Sequence, residues 1–569
     1  MLSLSEGREE NITVRHRSPG RALVSLLVSL QAFISMRLVS LLLRPASLKV
    51  RDEQEIYVAD VTPLNKMLLR PALLGFVGSL AILAGASQQN SPFTLKLPGA
   101  WWFGIPASHP APQIGGPGQW LFLGVFGVYG GMLLMLRAWY DVIRLASRVK
   151  GIPVRRLVPV FVAWTLPLLI VAPLFSNDAY SYAAQGELMS HHMNPYLYGP
   201  NLLSTGTTFD ALTARIWQNV TSPYGPVFLV ADGWIVEAMR HNVLATVEAL
   251  RVLALAGVVM FAAAVPSIAR SFGRDQATAF SLAILNPLIL LNLVAGEHND
   301  ALMLGFLLSG YALFKRGRPV LGIFLCGIAA AIKIPGFIGV IYIGWEWLGP
   351  GKSVRERVRP MLGAFAIAGV AMAGASQLAG VGWRWVAGLS NPDSVRSWLD
   401  PATGLGLLAG QVANLVGLGS LGHPLLTVAR GSALALAAAI GLILLLRSER
   451  IGSLSAIGWT LIAVAMLGPV LQPWYLAWGI VFLAPIAHGR VRKLVFGVSA
   501  VSCFLGLPGG WVLGHELENS NPAFLVLFSV LLVAIALVVV GPSVRLRFYE
   551  RGKRILHARE VHEAVPSGG

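Results

Sequence analysis

Acidic side chains and cysteines are scarce in this chain. Its 569 residues include 27 Asp and Glu against 44 Lys and Arg, only 12% of residues are charged, and there are two cysteines. Cys326 and Cys503 both fall inside apolar stretches, where a thiol behaves as a small hydrophobe, so a disulfide framework, redox chemistry and cysteine-ligated zinc are set aside. A glycine-rich phosphate-binding loop is missing, as are the stacking motifs and finger spacings that accompany nucleic-acid binding, so the net charge of +17 has another origin. The polar opening "MLSLSEGREENITVRHRSPGR" lacks the pattern of a cleaved signal peptide.

What the chain has in abundance is apolar surface. Hydrophobic residues make up 55% of it, with a mean hydropathy of +0.66, more than one soluble core can hide. This composition predicts an all-α polytopic membrane protein. The cations cluster in short loops between apolar runs: Arg144 to Arg156, Lys315 to Arg318, Lys352 to Arg359, Arg490 to Lys493, and the tail "RLRFYERGKRILHARE". Alternating sides along about 14 spans (12–15) puts all of these clusters on one face, the cytoplasmic one by the positive-inside bias. Residues 1–68 then form a cytoplasmic N-terminal segment whose "ALVSLLVSLQAFISMRLVSLLL", interrupted by Arg37, reads as an interfacial or short buried helix. Residues 69–542 form the membrane domain and 543–569 a basic cytoplasmic tail, so both termini face inward. The stretch around Asp232, Glu237 and Arg240 reads as a helix lying on the outer interface, and 382–422 reads as an outer loop.

Two helix pairs are too short to span. Segments 319–333 and 336–349 turn at Lys333 and Pro335, and 454–471 and 474–487 turn at Gln472 and Pro473. Roughly 14 residues of helix cover about 21 Å of a core about 30 Å thick. Polar turns at that depth are tolerated only where they line a cavity or are buried in protein. The pattern predicts a chamber open to the outer leaflet, floored by Lys333, Gln472, Trp474 and Tyr475.

The chemistry-bearing residues gather on the outer side. Asp178 ends an apolar run in "PLFSNDAYSYAAQ"; a helix cap and a general base both fit it. Tyr180, Tyr182, Asn194, Tyr196 and Tyr224 offer the flat faces and hydrogen-bonding groups that sugars pack against, and tyrosines also form interfacial belts. Lys333, in "AAAIKIPGF", is either a snorkelling side chain or a partner for a phosphate. His298, Asn299 and Asp300 open a span in "AGEHNDALML"; they suit hydrogen bonding to sugar or phosphate, and a triplet alone is too few ligands for a metal. No metal and no cofactor is expected.

The motifs "FSNDAYSYAAQ", "NPYLYGP", "SPYGPVFL", "GEHNDALMLG", "AIKIPG" and "LQPWYLAW" occur in this order. Together they resemble the actinobacterial polyprenol-phosphomannose-dependent α-1,6-mannosyltransferases, membrane glycosyltransferases of the GT-C class, over about residues 60 to 545. The resemblance implies a GT-C helical bundle with an outer-face cavity and interfacial helices in a bacterial plasma membrane, with its active site on the extracytoplasmic face. It implies a polyprenyl-phosphate-mannose donor, a lipid-linked mannan acceptor, inversion at the sugar carbon, and growth of the α-1,6-mannan backbone of lipomannan and lipoarabinomannan. It also implies Asp178 as the catalytic base. The family often has a basic residue where this chain has Asn177, and a Glu can stand in place of Asp300. Two rival readings remain: a transferase of arabinose or glucose from a polyprenyl phosphate, whose pocket would differ by a few hydrogen bonds, and a secondary transporter, against which the lack of an internal repeat speaks.

Overall fold

The computed structural model describes residues 56–57, 61–87, 101–102, 105–106, 117–203, 208–388 and 400–506. The end of the expected membrane domain beyond residue 506, the basic tail and most of the N-terminal segment lie outside the described residues. Within them the protein is helical. The helices of eight or more residues, numbered α1 to α16, are Val61–Ala86, Pro117–Arg148, Val158–Thr165, Asp178–Ser190, Pro226–Ala238, Val243–Ser271, Gln276–Ala283, Asp300–Lys315, Pro319–Ala330, Phe337–Glu346, Val354–Leu378, Pro401–Leu415, Gly422–Leu446, Ser453–Leu467, Leu476–Leu483 and Gly489–Cys503. The described residues also include shorter helical turns and two pairs of two-residue strands: Ile56–Tyr57 runs parallel to Val149–Lys150, and Trp101–Trp102 antiparallel to Ile105–Pro106.

Four of the helical segments, Leu64–Ala86, Val243–Ser271, Val354–Leu378 and Gly419–Leu446, are long and apolar enough to cross a membrane. The helices of the two predicted hairpins are shorter: α9 has 12 residues and α10 has 10, which at about 1.5 Å per residue reach only about 18 and 15 Å. The same holds for α14 and α15, with 15 and 8 residues. Their turns fall where the hydrophobic pattern breaks, at Lys333 and at Gln472.

Local chemistry explains the helix starts. Asn242 accepts from the Leu244 and Ala245 amides at the head of α6, and Ser353 with Glu356 closes a capping box on α11. Helix α12 corrects the reading of 382–422 as loop. Asp400 accepts from the Ala402 and Thr403 amides, with Pro401 in the first turn, a start signal overshadowed by the Trp, Pro and Gly residues before it. Helix α12 then lies against α13, where a Cβ on Gly406 would come within 2.8 Å of the Leu426 Cα, the small-residue crossing that membrane helices favour.

Helix α5 forms where an interfacial helix was expected, with Glu237 exposed, but its other carboxylate does not face outward. Asp232 is fully buried, whereas Trp234 is 68% exposed. The reason is the small surface of α4: at Gly186 the two backbones approach so closely that a Cβ there would sit 2.7 Å from the Asp232 carbonyl oxygen. The two helices run in the same direction. Tyr182 packs edge-on against Tyr224 and Phe228 at the start of the pair, and Gly186 meets Asp232 further on.

Candidate active site

Three breaks in regular structure build one site. The first is the entry to α4. Phe175 takes a left-handed backbone, φ 61°, and the Asp178 amide donates to Ser176 Oγ at 3.1 Å, which places Asp178 as the first residue of the helix. An anion there is favoured by the helix dipole.

The second break precedes α8. Residues Ile289–Ala295 form a π-helical turn, all buried, an irregularity common at functional sites. It leads into Glu297, left-handed at φ 59°, and then His298, Asn299 and Asp300. The Leu174 amide donates to the Ala295 carbonyl at 3.2 Å. Gly296 fits this crossing because a Cβ would come 3.2 Å from the Leu174 oxygen and 2.5 Å from that of Asn292. The stitch brings Asp178 Oδ2 to 3.5 Å from His298 Nδ1.

The third break is the pair of short-hairpin turns, which meet as the chain pattern requires. Lys333 Nζ lies 4.6 Å from the Tyr475 ring centroid and 5.6 Å from that of Trp478. It donates to both oxygens of the buried Asp300, at 3.0 and 2.9 Å, and Trp478 Nε1 donates to Asp300 Oδ1 at 2.5 Å. His298 stacks on Trp474, ring centroids 3.6 Å apart and planes 16° from parallel. A third wall comes from the loop before α5. The Gly225 amide donates to Ile332 O at 2.9 Å and the Val227 amide to Ala331 O at 3.0 Å. Only glycine allows this docking, since a Cβ would sit 2.1 Å from the Ala331 oxygen. Tyr224 is thereby held over Lys333, 5.8 Å from its ring centroid.

The remaining sequence candidates fall into two groups. Asn194 and Tyr196 brace the loop: Asn194 Oδ1 accepts from the Tyr196 amide at 3.0 Å, its Nδ2 donates to Val381 O at 3.4 Å, and the Tyr196 hydroxyl donates to Tyr224 O at 2.5 Å. Tyr180 and Tyr182 are buried on α4, Tyr182 one turn past Asp178 on the same side of the helix. In contrast, both ring nitrogens of His298, both amide atoms of Asn299, and Gln472 Oε1 are buried without a hydrogen bond. An unsatisfied buried polar group costs about 1–3 kcal/mol, so the unpaired His298 ring beside Asp178 marks a place built for a polar ligand.

Sequence reasoning overlooked three members. Trp478 lay in a quoted motif but carried no assignment. Glu297 forms a buried ion pair with Arg251 from the middle of α6, and Arg251 Nη1 also donates to Leu169 O at 2.7 Å and meets Glu248 at 3.1 Å. A cation inside an apolar span was the available signal. Glu187, His191 and His241 also come together, their potential ligand atoms all within 4.8 Å of one another.

A helical protein with apolar, membrane-length helices that gathers a carboxylate, an imidazole and a charge-paired lysine in one place can hold a polar ligand there. Residues 72–349 match the family model described as the alpha-(1->6)-mannopyranosyltransferase N-terminal domain, and 402–541 that of the MptB C-terminal domain. Alpha-(1->6)-mannopyranosyltransferase A of Mycobacterium tuberculosis is 30% identical over 76% of this chain and 83% of its own length. Alpha-(1->6)-mannopyranosyltransferase B of Corynebacterium glutamicum is 31% identical over 65% of each chain. No solved structure matches. The chain belongs to the alpha-(1->6)-mannopyranosyltransferase family of glycosyltransferases.

Proposed function

We propose that this protein transfers mannose from a polyprenyl-phosphate-mannose to a lipid-linked mannan acceptor, extending the α-1,6-mannan backbone of lipomannan and lipoarabinomannan on the outer face of a bacterial plasma membrane. The observation that carries the reading is the position of Asp178, 3.5 Å from His298, whose two ring nitrogens are buried without a hydrogen bond and whose ring stacks on Trp474. Around it, a GT-C bundle of about 14 spans would leave a chamber at the level of the two short-hairpin turns, both termini being cytoplasmic. The relatives' names supply the sugar and the linkage; the depth of Lys333 fits a donor whose phosphate stays near the membrane plane.

In this mechanism Asp178 takes the proton of the acceptor's primary hydroxyl as that oxygen attacks the anomeric carbon of the donor. The bond from that carbon to the phosphate oxygen breaks on the opposite side, inverting the centre, and polyprenyl phosphate leaves with the electron pair. An ammonium has three N–H donors. Lys333 contacts both oxygens of Asp300, and its ammonium charge and the His298 ring would meet the departing phosphate. Asn299, Gln472, Trp474 and Tyr475 hold the sugars. No step uses a metal.

The test is transfer by the purified full-length protein in detergent, with radiolabelled polyprenyl-phosphate-mannose and an α-1,6-dimannoside. Product with a new α-1,6 linkage is expected, and none from GDP-mannose. Activity with GDP-mannose but not the lipid donor would overturn the reading, and a preference for a polyprenyl-phosphate arabinose or glucose would replace the sugar.

A further inference from the structure

Nine residues beyond Asp178, about 13 Å along α4, lies a second group of chemistry-bearing side chains that the transfer reaction does not use. Glu187 is buried. Its Oε1 is 3.1 Å from His191 Nε2 and its Oε2 is 2.8 Å from His241 Nδ1. The two imidazole rings lie face to face, centroids 5.6 Å apart and planes 29° from parallel. His191 is the residue that ends α4, and His241 follows α5 by three positions. Since α4 and α5 run in the same direction, both carbonyl ends converge here.

We propose that Glu187, His191 and His241 bind a divalent transition-metal ion of the zinc class, a structural site that ties the end of α4 to the turn between α5 and α6. Two neutral imidazoles and one carboxylate form a ligand set that suits zinc. Metal–ligand bonds of about 2.0–2.1 Å in a tetrahedron put ligand atoms about 3.3 Å apart, and the two contacts to Glu187 are 2.8 and 3.1 Å. The ligand atoms of all three residues lie within 4.8 Å of one another, so the two imidazoles would turn inward to close on an ion. Their side chains are 55% and 47% exposed, which leaves access for the ion and a fourth position for water.

Two further observations point to a cation. Helix C-termini carry partial negative charge, and two of them meet beside a carboxylate. The backbone is also strained here. Of the five non-glycine residues with positive φ among the described residues, Phe175 and Glu297 flank the Asp178 site, and the other three, His192, Arg240 and His241, lie in these two turns. Each turn is closed by a backbone bond back into its helix, Met193 N to Leu188 O at 2.8 Å and His241 N to Val236 O at 3.0 Å. Left-handed conformations of non-glycine residues are strained and persist where a site depends on them.

This site is independent of the sugar-transfer reading, and its test does not measure transfer. The full-length protein in detergent is stripped with chelator, dialysed and titrated with zinc chloride. One zinc per chain is expected, along with a raised unfolding temperature. Cobalt chloride should give the visible absorption of a tetrahedral complex. His191→Ala and His241→Ala, both at exposed positions, should each weaken zinc binding about tenfold or more, whereas His192→Ala should leave it unchanged. A wild-type protein that neither retains zinc nor colours with cobalt overturns the proposal, whatever the variants do. Zinc binding equal in His241→Ala and wild type overturns it as well, assigning the ion to another place.

Discussion

The two halves of the active site are opposites. On the Lys333 side nearly every polar atom has a partner: Asp300 receives two contacts from Lys333 and one from Trp478, and the lysine lies among three aromatic rings. On the Asp178 side the carboxylate is 17% exposed, its neighbour His298 is 3.5 Å away, and both ring nitrogens of that histidine have unspent hydrogen-bonding capacity. A saturated network is rigid and costly to break, while an unsaturated one waits for a ligand. The comparison assigns scaffolding and a cation for the phosphate to the first half and proton transfer to the second, and each assignment can be broken.

The largest effect belongs to the unsaturated half. Asp178→Asn keeps the shape and serves nearly as well as a helix cap, but it cannot take a proton. Turnover should fall by about 100- to 10,000-fold, with protein level and donor binding maintained. Near-normal turnover would return Asp178 to a capping role and dissolve the contrast.

Removing one member of the saturated half should act on stability first. Lys333→Met leaves Asp300 as a buried carboxylate without its cation, a change that costs about 3–5 kcal/mol. Pairing it with Asp300→Asn should recover much of that loss in a thermal-unfolding measurement, while donor affinity stays low. If the double variant binds donor normally, Lys333 has no part in holding the phosphate. A smaller change in the same network is Trp478→Phe, which deletes one donor to a carboxylate and should cost about 1.5–3 kcal/mol, again without a matching fall in turnover. The smallest is Asn194→Ala, which removes a loop brace worth about 1 kcal/mol and should shift the unfolding temperature with little change in the pH dependence of transfer.

The same contrast explains what could be read from the sequence. Lys333 and Gln472 were legible because each interrupts an apolar run too short to span, and a polar residue at that depth needs a reason. Asp178 and the "GEHND" segment were legible for the same cause, a carboxylate at the end of a hydrophobic stretch. The pairing of Lys333 with Asp300 was not, because nothing local links residues 33 positions apart. Arg251 and Glu297 are 46 positions apart, and Arg251 looked like one charge in a long apolar helix. His241 was hidden differently: it lies 54 positions from Glu187 and meets it only because α4 and α5 run in parallel, which small residues such as Gly186 permit without announcing. Helix α12 was missed because its flanking Trp, Pro and Gly residues outweighed the cap at Asp400.

The glycine at 225 couples regions that a map of charges would treat as unrelated. Its amide and that of Val227 are bonded to the last carbonyls before Lys333, so the tyrosine-bearing loop and the lysine-bearing turn move as one body. A larger side chain at 225 would displace the ammonium from Asp300 without altering any ionisable group. In kinetics such a variant would imitate the loss of a charge, and in a survey of inherited changes a neutral substitution at this position would read as an electrostatic defect.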